Sequence, residues 1–247
     1  TVSADNPSVP LYFQLIDEVT NYGILEGNGG ILVLQDGTYY NNGDTIQATS
    51  SRVDISATII GGTLAGNTAG INLNSGAVLQ DVTTTGKISQ VGSIATIKGT
   101  LHNEGTITMI PGSNFYAYMK FDGDTTISGT GTLETTSSPQ GYTAFIQTVG
   151  QTDRLVHGPD HSIVLRSGGL FDSGGSISNH GRITVISGTT ASSIATIDNT
   201  GTIIAAGTLN NPNGVINNIC TGVTAGNIVG LINNEICLWD GEGGDGL

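Results

Sequence analysis

The sequence predicts an all-β protein built as a parallel β-helix, a solenoid of short strands and tight turns. Three observations predict it: recurring short phrases, a hydrophobic fraction broken into brief Ile, Val and Leu runs, and glycine without a fixed period. Ser-Ile-Ala-Thr-Ile occurs at residues 93–97 and again at 193–197, and both copies lead into Gly-Thr-Leu or Gly-Thr-Ile strings, at 99–107 and 201–211. Related phrases stand at 129–133, 175–183 and 214–218. Self-similarity of this kind is the signature of stacked repeats. The 38 glycines follow no Gly-X-Y period, which excludes collagen, and the 37% hydrophobic content argues against disorder.

Each unit is a strand of a few β-branched residues, a Gly or Asn turn, and another such strand. Strands this short cannot bury themselves in one sheet, so each coil must stack on its neighbours around a narrow shared interior. Gly and Asn supply the positive φ that sharp corners need, and Asn amides can pair from coil to coil in ladders. Coils of roughly 20 residues spaced about 4.8 Å apart would make a rod of some ten coils and about 50 Å. A barrel or sandwich would instead show longer alternating strands and hairpin turns.

Residues 1–30 differ from the rest and read as an N-terminal cap. Leu11, Leu15, Ile16, Val19 and Tyr22 fall on one face at helical spacing, Pro10 fits a first-turn position, and Gly23 can end the helix. An amphipathic helix there would cover the open end of a solenoid. The solenoid proper is expected over 31–238, opening with the strand Gly29-Gly-Ile-Leu-Val-Leu-Gln-Asp-Gly-Thr-Tyr-Tyr40. A helix followed by that string, then Val53-Asp-Ile and Ala57-Thr-Ile-Ile-Gly-Gly62, resembles the first turns of pectin-lyase-like parallel β-helices. The resemblance implies a right-handed coil and says little about activity. The middle and last thirds resemble the Gly-Thr-Ile and Asn-Asn-Gly repeats of large bacterial surface proteins, among them autotransporter passengers and haemagglutinin-like adhesins. The terminus, Leu238-Trp-Asp-Gly-Glu-Gly-Gly-Asp-Gly-Leu247, resembles the opening of modules in giant repeat-rich secreted proteins. That likeness implies that residues 239–247 begin a following module of a longer chain; on composition alone they read as an acidic tail.

Only 11% of residues are charged, and 20 acids against 7 Lys and Arg leave a net charge of −13. That balance repels phosphate backbones and anionic lipid, so nucleic-acid and membrane-surface binding are disfavoured. No apolar stretch is long enough to insert into a bilayer. The acidity suits solubility or loosely held Ca²⁺, although no Asp-x-Asp-x-Asp-Gly loop is present and no other cofactor is indicated. Cys220 and Cys237 lie 17 residues apart, close to one coil, so equivalent positions on neighbouring coils would fall within disulfide range. A Cys220–Cys237 bridge would clasp the last coil, contributing about 3 kcal/mol, and would indicate an oxidising, extracellular or cell-surface location. The first residues carry no basic or apolar leader, as expected of a chain whose signal peptide has been removed.

Pectin-lyase-like folds often host polysaccharide lyases and hydrolases, which need convergent carboxylates. Asp122, Asp124, Asp153 and Asp160 are the acids such an enzyme would use, although Asp122-Gly-Asp124 reads first as a turn. The segment 153–161 gathers Arg154, His157, Asp160 and His161, a set that could hold metal or move protons, but Gly158-Pro159 makes it a loop with solvated histidines. His180 and Arg182 fit the turn of an ordinary coil. No nucleophile elbow, phosphate loop or dinucleotide fingerprint occurs, and no metal site is assigned. Over 115–121, alternation sends Phe115, Ala117, Met119 and Phe121 inward and leaves Tyr116, Tyr118 and Lys120 as an outward strip, either suited to a sugar ring or a partner surface or forming a ladder packed under a loop. The expectation is a noncatalytic structural or adhesive module of a secreted or surface-displayed protein that binds a glycan or cell-surface partner; the alternative is a polysaccharide lyase or glycoside hydrolase.

Overall fold

The computed structural model describes residues 1–14, 17–166, 170–171 and 175–235 as an all-β parallel solenoid of about 11 turns. Except at the two ends of the described coil, each strand pairs in parallel with the strands one turn earlier and one turn later, and the pairings run along three faces. On the first face, Val2–Ala4 pairs with Ile24–Gly27, which pairs with Thr45–Ala48, and so on to residues 232–234. The second face starts at Leu11–Gln14 and the third at Glu18–Thr20. Backbone groups left open by one coil are therefore satisfied by the next, which is why strands of three to five residues persist at all.

The second face shows how the sequence repeat becomes a core. Leu32, Val53, Ile71, Ile88, Ile107, Leu133, Ile163, Ile183 and Ile203 stand in register, one per coil, and none is more than 1% exposed. Alternation sends their neighbours outward, as in Val53–Ile60, where buried and half-buried positions strictly alternate. Burial of each aliphatic side chain stabilises by about 1.5–3 kcal/mol, repeated at every rung. On the third face Tyr39, Ile59, Leu79, Ile97 and Phe121 form the matching row. The Tyr39 hydroxyl donates to the Phe13 carbonyl at 3.1 Å, and burial pushes its pKa up to about 12.

The first face carries a polar row near its corner with the second. Asn179 Nδ2 donates to Asn199 Oδ1 at 2.7 Å, Asn199 Nδ2 to Asn218 Oδ1 at 2.8 Å, and Asn218 Nδ2 to Asn234 Oδ1 at 2.7 Å. Asn179 and Asn199 are fully buried. A primary amide suits this place because it offers a donor and an acceptor, one for each neighbouring coil.

The expected N-terminal helix is not formed. Leu11–Gln14 is a strand in register with Leu32 to Gln35, and Glu18–Thr20 is a strand in register with Thr38 to Tyr40. Leu11 and Phe13 pack against the core while Tyr12 and Gln14 face solvent, a period of two, and no helix occurs among the described residues. Aromatic and branched residues beside an open parallel edge gain a ladder of backbone hydrogen bonds that a helix would leave unmade. Leu15 and Ile16 lie outside the described residues. So do Cys237 and residues 239–247; Cys220 occupies the turn after Thr202–Ile219 at φ 53°, and no described cysteine is free.

Ile183→Ala should destabilise the rod by about 2–5 kcal/mol, because the neighbouring rungs cannot close over the missing side chain. Urea unfolding followed by circular dichroism reads this; a loss below about 1 kcal/mol would contradict the close-packed row.

Candidate functional site

Rungs of the second face are 20 residues apart at Ile163, Ile183 and Ile203, but 26 separate Ile107 from Leu133 and 30 separate Leu133 from Ile163. Part of the extra chain lies at the corner leading to the third face, as loops over 111–116 and 136–143. The first loop enters the strand Ala117–Phe121 and the second enters Ala144–Thr148, and these two strands pair. A turn holds the second loop: Tyr142 N donates to Ser138 Oγ at 3.1 Å and Gly141 N to the Ser138 carbonyl at 3.0 Å.

This arrangement gathers aromatic rings outside the core rows, with Phe145 buried, Tyr118 and Tyr142 half-buried and Tyr116 exposed. Tyr118 and Phe145, register partners, stack with centroids 4.8 Å apart and planes 10° apart. Tyr116 meets Tyr142 edge-on at 5.1 Å, Phe145 at 5.2 Å and Tyr118 at 6.1 Å. Such pairs contribute about 0.5–1.5 kcal/mol each beyond burial, so the platform is held in shape by its own contacts. Tyr116 remains 44% exposed and Phe115 67%. Beside them opens a cleft of about 250 Å³ whose walls include Ile94, Asn114, Phe115, Tyr116 and Tyr118. Gln90, fully buried, ties the back of the cleft together: its Nε2 donates to the carbonyls of Ser93 at 2.9 Å and Tyr118 at 2.5 Å.

The outward placement of Tyr116, Tyr118 and Lys120 agrees with the alternation read from sequence, and Ala117, Met119 and Phe121 are fully buried. Phe115 is the exception, facing solvent because it precedes the strand and belongs to the loop. Lys120 stands in register between Thr96 and Gln147 and makes no ion pair among the described residues. The platform thus has an apolar floor with a polar row of Thr96, Lys120 and Gln147 along one side. Sequence reasoning missed Tyr142 and Phe145, which join the site only through the coil-to-coil register.

The acids behave as turn residues. Asp153 Oδ2 accepts from Gly150 N at 2.6 Å and from Gly123 N at 3.1 Å, bringing the 122–124 turn beside it. Asp124 Oδ1 accepts from Arg154 N at 3.2 Å, and Asp122 pairs with Lys98 at 3.0 Å. Asp160 is exposed. Asp124 and Asp153 thus cap corners and an adjacent strand, and no group of three metal-ligating side chains occurs among the described residues.

The histidines of 153–161 correct the expectation of a solvated loop. His157 ends the strand Arg154–His157 and His161 follows Gly158-Pro159-Asp160, yet both side chains point inward and are fully buried. Alternation continues to the strand end at His157, and the loop then returns the chain to the wall at His161. His180 is exposed and hydrogen-bonds Thr200, and Arg182 is exposed at the start of Arg182–Val185, as a coil turn requires.

Comparison with protein-family models, with curated proteins and with solved structures returns no match for this chain.

Asp153→Ala should destabilise the protein by about 1–3 kcal/mol, because two backbone N–H groups lose a charged acceptor. Denaturant unfolding measures the loss, and unchanged stability would free Asp153 for a chemical role.

Proposed function

We propose that this chain is a noncatalytic structural or adhesive module whose rod presents the aromatic platform to a glycan or to a cell-surface partner. The observation that carries the reading is the cluster of Tyr116, Tyr118, Tyr142 and Phe145 beside an open cleft on the two longest coils. Aromatic rings stack on the apolar faces of pyranose rings, and a neighbouring Lys and Gln can meet hydroxyl groups. The net charge of −13 favours a neutral glycan over an anionic one.

The fold reading extends to a right-handed, pectin-lyase-like coil within a longer secreted or surface-displayed protein, with Ca²⁺ as its only candidate ion. A Cys220–Cys237 disulfide belongs to the same reading. Alkylation of the native, unreduced protein should leave both thiols unlabelled by intact mass; two added labels would remove the clasp and with it the main support for an oxidising compartment.

Binding to an array of neutral oligosaccharides should weaken at least tenfold in Tyr116→Ala, with far-UV circular dichroism unchanged. Equal binding by Tyr116→Ala and by Lys120→Ala would sink the platform as the binding site. Incubation with neutral and acidic polysaccharides should give no new reducing ends and no unsaturated products; their appearance would replace this reading with the enzyme.

A further inference from the structure

The buried polar row does not stop at Asn179. His157 Nδ1 lies 2.6 Å from Asn179 Oδ1, His157 Nε2 lies 3.0 Å from His161 Nδ1, and His161 Nε2 lies 3.0 Å from Asn103 Nδ2. Asn103 Oδ1 in turn accepts from Thr84 Oγ1 at 2.9 Å and from Gly105 N at 3.1 Å. One assignment of protons satisfies every link. Asn179 Oδ1 can only accept, so His157 carries its proton on Nδ1 and accepts at Nε2. His161 therefore donates from Nδ1 and accepts at Nε2 from the Asn103 amide. The donors then run one way, Thr84 to Asn103 to His161 to His157 to Asn179 to Asn199 to Asn218 to Asn234, with both rings neutral.

The histidines stand where the asparagine row has a gap. Coil corners at 103–105, 179–181 and 199–201 read Asn-x-Gly, but the intervening corner at 128–131 reads Ser-Gly-Thr-Gly and has no amide to offer. That corner needs its glycines. Gly129 has φ 95°, and a Cβ at Gly131 would sit 2.6 Å from Asn103 Nδ2. An asparagine reaches one rung, whereas two imidazoles in series reach from Asn179 across the glycine corner to Asn103.

We infer that the His157–His161 pair is an acid-sensitive bridge in the middle of the rod, whose protonation breaks the interior hydrogen-bond row and uncouples the coils on either side. A proton added to His157 Nε2 would face the His161 Nδ1–H, and one added to His161 Nε2 would face the Asn103 amide N–H. Turning the Asn103 amide over would set its NH₂ against Gly105 N, so the network has no cheap repair. No counter-charge is at hand. Ile127 and Asn179 flank His157, and the charged groups on the packed elements, His102 and Glu104, Arg154, Asp160, His180 and Arg182, are all exposed. Burial, the largest cause in each, pushes the pKa of His157 down to about 4 and that of His161 to about 3.

An unfolded histidine binds a proton near pH 6.5, so both pKa values are depressed by folding. Stability from the pair is complete above about pH 6.5 and is lost as pH falls toward about 4. Near pH 5 unfolding should take up about two more protons in wild type than in His157→Asn/His161→Gln, an excess of about 100-fold in the unfolding equilibrium per pH unit. Identical pH dependence in the two proteins would overturn the inference. If the double variant does not fold, nitrogen-detected NMR of wild-type imidazoles decides. Both rings should remain Nδ1–H tautomers at pH 5.5, and protonation of either ring there in a folded protein would refute the bridge.

Discussion

Each coil of this rod hydrogen-bonds to the coil before it and the coil after it, at the same angular position. Whatever occupies a corner must therefore find its partner one rung away. An aliphatic row meets the demand by repetition, as Ile163, Ile183 and Ile203 do. A polar group meets it only if its donors and acceptors point along the rod, which is what the Asn179, Asn199 and Asn218 amides achieve. Where the row lacks an amide, the same constraint selects a longer side chain with one donor and one acceptor, and neutral histidine fits.

Parallel stacking also explains where a binding surface can arise. The outer wall of a solenoid is a set of parallel rows, and chain inserted at a corner adds relief to it. The loop over 111–116 supplies one wall of the cleft without disturbing the interior, because Met119 and Phe121 keep their places in the core. Alternation separates the two tasks residue by residue: Ala117, Met119 and Phe121 stabilise, while Tyr118 and Lys120 face out. The carboxylates of Asp124 and Asp153 serve the corners, where open backbone N–H groups need acceptors.

Much of this is legible in the chain, but not the register. The two copies of Ser-Ile-Ala-Thr-Ile share one in-out pattern, with Ala95, Ile97, Ala195 and Ile197 buried and Ile94 and Ile194 exposed. Yet the first copy builds the third face and the second leads into the first face, so the phrase encodes a strand and not its position in the coil. The helix expected near residues 11–22 failed because Leu11 and Val19 satisfy a period of two as well as one of 3.6, and the open edge beside Leu32–Tyr40 decides between them. The histidines were misread because Gly158-Pro159 marks a loop correctly without revealing that both of its ends point inward. Tyr142 and Phe145 carry no local signal for the platform, since their partners arrive from a different coil.

The long coils concentrate the rod's departures from regularity on both surfaces at once. Outside, they carry the aromatic platform and one wall of its cleft; inside, they carry the glycine corner that the histidines bridge. Three of the buried side-chain oxygens without a hydrogen-bond partner, on Thr125, Thr135 and Thr148, belong to the same stretch, and a fourth, on Gln90, lies behind the cleft. A buried polar atom left unpaired is destabilising by about 1–3 kcal/mol. These unpaired atoms subtract from the stabilisation that the buried aliphatic rows supply in the same stretch. The inferred histidine bridge lies on the coil that also carries Tyr142 and Phe145, so on that inference acid acts on the interior of the coil whose outer face bears the platform.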